Sequence, residues 1–194
     1  GNLTPFAPSF GTDYRLHRNL SLFGNLSRNY RIPTFNDLYW NEASAKGNPD
    51  LRMEKSWSEE AGTKLAFKNF HGQVAVFSNQ VDNLIYWRQV QGTWTPQNVR
   101  DAWTRGLEST GTFTKAIGKV NTSLTGRYSY TRSPVVFTPR HESSGSVRLN
   151  WRHWDLAITN NYVGLQYTDE NNGYLKPYNI ANVWLSKDIQ EKNI

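Results

Sequence analysis

The sequence predicts an all-β protein, built as an antiparallel up-and-down meander of about nine long strands. Three observations lead to this prediction. Apolar and polar residues alternate with a period of two over most of the chain, as expected when successive side chains point to opposite faces of a strand. The alternating runs are separated by short and long connections in turn. No run approaches the roughly 18 consecutive apolar residues of a membrane-spanning helix.

The clearest unit is the hairpin predicted over residues 103–132. In its second strand Leu124 and Tyr128 fall on an apolar face, and Ser123 and Arg127 fall on a polar one. Neither strand has the repeating pattern of apolar residues three and four positions apart that a helix would need. Each strand has about a dozen residues, against about 5–6 in soluble proteins and about 9–11 for a strand that crosses a bilayer. The length favours a membrane-spanning hairpin, although a long hairpin in a soluble sandwich or a fibre also fits.

The remaining strands follow from the same alternation. They are predicted at residues 8–16, 19–29, 56–68, 73–86, 143–151, 154–166 and 178–186. Short connections lie near residues 17, 69, 115 and 152, and long ones begin near residues 30, 87, 133 and 167. The first two long connections, residues 30–55 and 87–102, are predicted to be irregular. Because alternate connections of a meander lie at the same end of the sheet, all the long ones share one end, as in outer-membrane barrels.

Aromatic residues lie toward both ends of the predicted apolar face. Near the short turns these are Phe113, Trp151 and Trp154, and toward the long connections they are Trp57, Tyr128, Tyr130 and Tyr162. Two aromatic bands around an aliphatic and glycine-rich stretch are typical of lipid-facing girdles. The alternative is a β-sandwich with an aromatic inner face, which should have shorter strands and no systematic difference between its loops.

Composition narrows the classes of function. The net charge is +6, but the basic residues are scattered, so nucleic acid is not expected as a partner. Cysteine is absent, which excludes disulfides and thiolate metal sites. The histidines are isolated and no catalytic motif is present, so the chain is expected to be no enzyme and to need no cofactor or metal ion. Residues 169–173 resemble a calcium loop only weakly, because the EF-hand spacing is absent.

Three motifs in the chain carry a family resemblance. The first comprises Arg31, Pro33, Thr34, Asn36, Asp37, Leu38 and Tyr39. The second comprises Gly47, Asn48, Pro49, Leu51, Glu54, Ser56, Glu60 and Gly62. The third, at the start of the predicted hairpin, comprises Asn98, Ala102, Gly106 and Glu108. Together these motifs resemble the C-terminal barrel region of TonB-dependent outer-membrane receptors of the cobalamin and siderophore kinds. Met53 departs from the family pattern, which usually has proline there.

The resemblance implies that the sheet is part of a roughly 22-stranded transmembrane β-barrel in the bacterial cell outer membrane. Residues 1–194 would be one partial barrel domain, without the plug domain or the closing strands. The implied function is active transport of a scarce nutrient, such as siderophore-bound iron or cobalamin, with TonB energy coupling. The implied partners are outer-membrane lipid, a small-molecule or metal-chelate ligand, and the TonB complex through the plug domain. A soluble β-rich carbohydrate-binding or adhesin-like module remains the alternative.

Candidate ligand-binding residues lie on the long connections, because binding residues concentrate on loops that a rigid scaffold positions. They are Tyr39, Trp40, Trp87, Arg88, Trp94, Tyr167 and Tyr174. Aromatic side chains with an arginine suit a large, partly apolar ligand that also accepts hydrogen bonds. On the strands, Glu60 and Glu108 are expected to face the lumen, either solvated or paired with Arg127 or Arg148.

Overall fold

The computed structural model describes residues 5–99, 101–168 and 173–189. In chain order its elements are β1 (Ser9–His17), β2 (Leu20–Arg31), α1 (Phe35–Tyr39), β3 (Asn41–Glu42), β4 (Ala45–Lys46), β5 (Glu54–Ala66), β6 (Phe70–Asp82), β7 (Ile85–Val90), β8 (Thr93–Asn98), β9 (Ala102–Ile117), β10 (Val120–Arg132), β11 (His141–Trp151), β12 (Trp154–Val163), β13 (Gln166–Tyr167), β14 (Tyr174–Leu175) and β15 (Tyr178–Lys187).

Nine of these strands form one antiparallel sheet, which we call the wall. Its order is β1-β2-β5-β6-β9-β10-β11-β12-β15, so each wall strand pairs with its neighbours along the chain. The predicted meander of nine long strands is confirmed. The short turns all lie at one end of the wall and the long connections at the other. No described helix is long and apolar enough to cross a membrane.

The register of the wall fixes which residues share a face. Leu124 lies opposite Phe113 on one side and Val147 on the other, whereas Arg127 lies opposite Thr110 and Ser144. Since directly paired residues point to the same side of a sheet, the wall has an apolar face that bears Leu124 and a polar face that bears Arg127. The predicted faces of the central hairpin are therefore confirmed.

Glycine at position 106 is required by close packing within the wall. A Cβ at Gly106 would overlap the carbonyl oxygen of Tyr130 and lie 2.8 Å from the ring of Phe77. The aromatic ring thus covers the glycine on the polar face, an arrangement that restores packing where a strand has no side chain. This contact gives a structural reason for one glycine of the third motif.

The two longest connections are not irregular, which corrects the prediction for residues 30–55 and 87–102. The first contains α1, β3 and β4, and the second is largely the hairpin of β7 and β8. The strand predicted at residues 73–86 also differs, since β6 ends at Asp82 and β7 begins at Ile85. Between them Asn83 has a φ of 56°, and the hairpin turns at Gln91 and Gly92 with φ of 51° and 85°. Two successive left-handed residues suit a tight turn that matches strand twist.

Burial is sparse because the wall is a single layer of strands. The buried apolar residues include Phe23 and Ala75 on the wall, and Ile85 and Ala102 beside the second long connection. Among the described residues, Pro96 of β8 has a fully buried side chain. Dense packing therefore lies among the long connections, where two carboxylates are buried as well.

Candidate functional site

The first two long connections fold together into a second sheet, which we call the loop platform (residues 32–53 and 83–99). Its strand order is β3-β4-β8-β7. Ala45 of β4 pairs with Trp94 of β8 in parallel, and the Trp94 N–H donates to the Ser44 carbonyl at 2.9 Å. Two segments separated by a complete hairpin of the wall thus form one surface above its end.

A capping box starts the short helix of the platform. The Thr34 hydroxyl accepts a hydrogen bond from the Asp37 N–H at 3.2 Å, and the Asp37 carboxylate accepts one from the Thr34 N–H at 2.9 Å. These reciprocal bonds satisfy donors that a helix start otherwise leaves open. Pro33 immediately precedes this cap, where its fixed φ favours the extended chain.

Two buried carboxylates tie the platform to the wall. Arg31, at the end of β2, donates to Glu54 Oε1 at 2.6 Å and to Asp37 Oδ2 at 3.3 Å. The Trp87 indole N–H donates to Asp37 Oδ1 at 2.9 Å, and the Ile85 N–H donates to Glu54 Oε1 at 2.7 Å. Asp37 is 4% exposed and Glu54 is 9% exposed. One arginine and two acids therefore connect β2, α1, β5 and β7.

These contacts also set the protonation of Asp37. Burial alone would raise the pKa of Asp37, but hydrogen bonds from Thr34 and Trp87 and the charge of Arg31 outweigh it. The pKa of Asp37 consequently lies below its ordinary value. The network therefore needs Asp37 in its ionised form, which accepts all of these bonds at once.

Asparagine side chains clamp the two connections to each other. Asn98 accepts the Arg52 N–H at 2.8 Å and donates to the Arg52 carbonyl at 2.9 Å, so its amide replaces a strand neighbour. Asn48 donates to the Pro96 carbonyl at 3.2 Å. Beside it, a Cβ at Gly47 would lie 2.6 Å from the backbone of Tyr39, which explains the glycine.

The predicted ligand contacts divide between two faces of the platform. Trp87 pairs with Pro96, and Gln89 pairs with Trp94, so both tryptophans lie on the side that faces the first connection. Arg88 lies on the opposite face and donates to Gln97 Oε1 at 2.8 Å. Trp94 is 48% exposed. Trp87 has its indole N–H engaged by Asp37 and therefore serves the platform's own structure.

The other candidates occupy the rim of the platform and a separate hairpin. Tyr39 and Trp40 are exposed at the end of α1. Tyr167 and Tyr174 are exposed and pair with each other in the β13–β14 sheet. The Phe137 N–H donates to the Tyr167 carbonyl at 2.7 Å, which joins the third and fourth long connections. Most of the weak calcium-loop candidate, residues 169–172, lies outside the described residues.

Glu60 and Glu108 lie on the polar face of the wall, as the alternation predicts, but neither is paired with Arg148. Glu60 lies on the polar face and accepts a hydrogen bond from Asn25 at 3.0 Å. Arg148 pairs with Asp155, its diagonal neighbour on that face, rather than with Glu60 or Glu108. Glu108 instead lines a hollow of about 380 Å³ on the polar face together with Arg127 and other polar side chains. The nearer acid takes Arg148 because cross-strand neighbours need no extended reach.

Comparison with known proteins identifies the family. The family described as "TonB dependent receptor-like, beta-barrel" matches residues 2–193. The chain belongs to this family. Its barrels lie in the bacterial outer membrane, and its members are receptors and transporters.

Curated relatives include two vitamin B12 transporters named BtuB. The one from Vibrio vulnificus is 37% identical over 105 residues, which is 54% of this chain and 16% of that protein. The one from Photobacterium profundum is 26% identical over 171 residues, which is 83% of this chain and 27% of that protein. The chain therefore spans about a quarter or less of the length of these two relatives.

Solved structures share the fold. The ferric enterobactin receptor PfeA from Pseudomonas aeruginosa, in complex with enterobactin, has a TM-score of 0.75 at 20% identity and is matched over 95% of this chain and 33% of that one. The siderophore receptor PirA from Acinetobacter baumannii has a TM-score of 0.74 at 14% identity, over 95% of this chain and 35% of that one. The nine-stranded wall is thus a segment of the family's barrel fold.

The family motifs acquire a physical role from the platform. Arg31, Asp37 and Glu54 form its charge network, and Asn48 and Asn98 form its clamps. These residues stand out in the sequence as parts of motifs, but the platform that they build is not predicted by it. Two local signals pointed to it: the Thr34–Asp37 capping pair and the Gln91–Gly92 turn between alternating residues.

Proposed function

We propose that this chain forms part of the barrel wall and the outer rim of an outer-membrane receptor. The receptor would bind a scarce nutrient on the loop platform and import it with TonB energy coupling. The observation that carries the proposal is the platform itself, a rigidified surface with exposed aromatic side chains at the long-loop end of a family barrel wall. Siderophore-bound iron, cobalamin or a similar chelate is the ligand class, since the relatives include vitamin B12 transporters and siderophore receptors.

The spacing of charges on the apolar face supports a membrane-spanning wall. Lys115 and Arg105 lie on that face of β9, ten residues apart. Ten residues correspond to about 33 Å along a strand, or about 25 Å of height at a tilt of roughly 40°. This matches the roughly 25 Å apolar band of outer-membrane barrels. The residues between them on that face are Phe113, Gly111, Ser109 and Leu107.

We further propose that the wall pairs with additional strands of the same barrel. All nine residues of β1 are exposed, and it has a wall neighbour on one side only. At the far edge, β15 also has a wall neighbour on one side only. Unpaired edges of long strands invite association, and closure of a barrel removes them. The lipid contact of the apolar face, and coupling to TonB through a plug domain, belong to this proposal.

Among the platform residues, Trp94 and Trp40 are the ligand contacts we favour, because their side chains are partly exposed and neither indole serves the charge network. Tyr39 directly precedes Trp40 in the chain, and Arg88 would contact ligand only from the opposite face. Trp87 and the motif residues would act indirectly, by holding the platform in place. No catalysis is expected from this arrangement.

The proposal is tested by uptake of labelled ligand into cells that produce the intact receptor. Vitamin B12 and a panel of ferric siderophores are compared in strains with and without TonB, and accumulation should require TonB. Trp94→Ala should weaken binding of the accepted ligand about tenfold, which is about 1.4 kcal/mol. Trp151→Ala is the matched control, since Trp151 is 44% exposed but lies at the short-turn end.

Two outcomes would contradict the proposal. TonB-independent accumulation would remove the transport mechanism. A protein that is a monodisperse monomer in buffer without detergent would remove the membrane location of the wall. The second outcome would instead favour a soluble carbohydrate-binding or adhesin-like module, an alternative that the family comparison does not support.

A further inference from the structure

Three arginines lie on the apolar face of the wall, close to its long-loop end. Arg28 lies opposite Trp57, and Arg105 lies opposite Arg132. Trp57 is linked to Trp103 through Gln80, which lies opposite both. These registers place Arg28, Arg105 and Arg132 on one side of the sheet, and we call them the arginine belt. A row of cations at this edge of an apolar face is unexpected if the face meets only hydrocarbon.

The central pair of the belt is a like-charge pair. Arg105 and Arg132 are direct partners in the β9–β10 register. Side chains directly opposite each other in an antiparallel pair are in contact range, and like charges there destabilise the sheet. An anion that contacts both guanidinium groups would relieve this repulsion. The register therefore brings two positive charges together without a matching negative charge.

The wall itself does not supply that negative charge. Among the described residues, no belt arginine lies within ion-pair distance of a carboxylate. The acids that the wall strands carry on the same face are Glu59, which lies opposite Ser78, and Asp82, which lies opposite Lys55. Lys55 offsets the charge of Asp82, so Glu59 remains against three arginines. The belt keeps a net positive charge.

Aromatic rings hold the arginines in place without neutralising them. The Arg105 guanidinium lies 3.6 Å from the centroid of the Trp103 ring, and the Arg28 guanidinium lies 5.1 Å from that of Trp57. Cation–π contacts of this kind orient a guanidinium without neutralising its charge, and the Arg28 Nε–H also donates to the Tyr30 hydroxyl at 2.7 Å. The Trp103 indole is fixed in turn by a hydrogen bond to Ser78 Oγ at 3.0 Å.

The depth of the belt indicates the kind of anion. Arg105 lies at one limit of the roughly 25 Å apolar band, on the side of the long connections. This is the level of lipid headgroups, where exposed tryptophans such as Trp57 and Trp103 are also enriched. Phosphate groups on lipid headgroups are anions held at that level in the membrane. Arginine binds phosphate oxygens through two parallel hydrogen bonds.

We propose that the arginine belt, flanked by Trp57 and Trp103, binds the phosphate groups of an outer-leaflet lipid. Arg105 and Arg132 share one phosphate, and Arg28 contacts a second phosphate or a neighbouring lipid. The site lies on the outer surface of the wall and is separate from the loop platform. It rests on the membrane orientation of the proposed function, but not on the identity of the imported nutrient.

The test uses the intact receptor in detergent with diphosphorylated lipid A as the probe. Each belt cation removed should weaken lipid binding about fivefold, so R105Q/R132Q should lose about 25-fold. R127Q is the control, because Arg127 lies in the same strand on the polar face and should change affinity less than about twofold. A loss below twofold in R105Q/R132Q, or an equal loss in R127Q, would overturn the proposal.

Two further measurements identify the source of the anion and distinguish an effect on folding from an effect on binding. Inorganic phosphate should not displace the lipid at comparable concentration, and displacement would overturn the assignment to lipid. Without lipid, R132Q should unfold at a higher temperature than the wild type, because the like-charge contact is gone. With lipid A present the order should reverse, and a variant that is less stable in both conditions would count against an unneutralised pair.

These outcomes are distinguishable from failure of the proposed function. If the receptor assembles in the outer membrane and transports ligand but the arginine variants bind lipid A normally, only the lipid site is lost. If the receptor does not assemble in a membrane, the proposed function is lost with it.

Discussion

The wall and the loop platform are both β structure, but different interactions hold them in place. Wall strands such as β10 have continuous registers with two neighbours and few buried side chains. The platform has short strands, and it depends on buried side-chain bonds from Asp37, Glu54 and Asn98. The wall takes its stability from backbone ladders and, in the proposed membrane location, from lipid on its apolar face. The platform is stabilised by specific polar contacts, so single side chains should matter more there for local structure.

The largest effect should come from a charge placed on the apolar face of the wall. Leu124→Arg in the intact receptor would put an arginine inside the apolar band, opposite Phe113, at a cost of about 2 kcal/mol, between the values for the interface and the midplane. Ser123→Arg, one residue earlier, would put the same charge on the polar face. We expect the first variant to lose most of its outer-membrane assembly and the second to assemble normally. The measurement is the amount of folded receptor in isolated outer membranes.

Equal losses in the two variants would show that the faces are not divided between lipid and lumen. A selective loss in Leu124→Arg could not be attributed to the platform, because residue 124 lies in the half of β10 that is nearer the short turn. Comparing the two variants therefore tests whether the environment of the apolar face determines the stability of the wall.

The same contrast explains how much of the structure was predictable. Faces of the wall follow from a period of two within each strand, so Leu124 and Arg127 could be assigned from their neighbours alone. The platform depends on contacts between distant positions, such as Trp87 with Asp37 and Asn48 with Pro96. Nothing in residues 30–55 shows that they will pair with β8, because each segment on its own carries only turn and cap signals.

Side-chain partners on the wall were predictable only in part. Glu60 and Glu108 were placed on the polar face by alternation, but the partner of Arg148 was not, because it depends on which acid lies diagonally across the strand pair. Likewise, the candidate ligand residues were found by location on long connections. Their division between two faces of β7 and β8 required the register of that hairpin.

An intermediate effect should follow from removing one charge of the platform network. Glu54→Gln keeps an oxygen for the Ile85 N–H but loses the ion pair with Arg31. Since Arg31 is itself partly exposed, we expect a loss of about 1–2 kcal/mol in platform stability. The measurement is the rate of proteolysis within residues 32–53 and 83–99 of the assembled receptor. The rate should rise while the amount in the outer membrane stays unchanged.

Glu60→Gln provides the control for that experiment, because Glu60 accepts a hydrogen bond from Asn25 on the polar face of the wall. It should leave proteolysis of the platform as it is in the wild type. Faster cleavage in both variants would mean that the platform responds to the overall charge of the barrel and not to its own buried network.

The smallest effect is a dependence of the platform on pH. The pKa of Asp37 in the folded platform is below its ordinary value of 3.8, so its ionised form stabilises the folded state. That stabilisation is fully present above the ordinary value and is lost as the pH falls through the folded value. Proteolytic protection by an acid-stable protease should thus be constant from neutral pH to about 5 and should decline below about 4.

Trp87→Phe sharpens this last expectation, because it removes one hydrogen bond to the Asp37 carboxylate, worth about 1 kcal/mol. With less stabilisation of the anion, the pKa of Asp37 rises toward its ordinary value, so the acid-induced loss of protection should be smaller and should be complete at a higher pH than in the wild type. Trp151→Phe, at the other end of the wall, should cause no such change. In an Asp37→Asn background the shift caused by Trp87→Phe should disappear, since no titrating carboxylate remains at that position. If the change in pH dependence persists in the Asp37→Asn background, Trp87 acts on the platform through packing. The interactions that stabilise the wall and the platform would then be more alike than their contacts indicate.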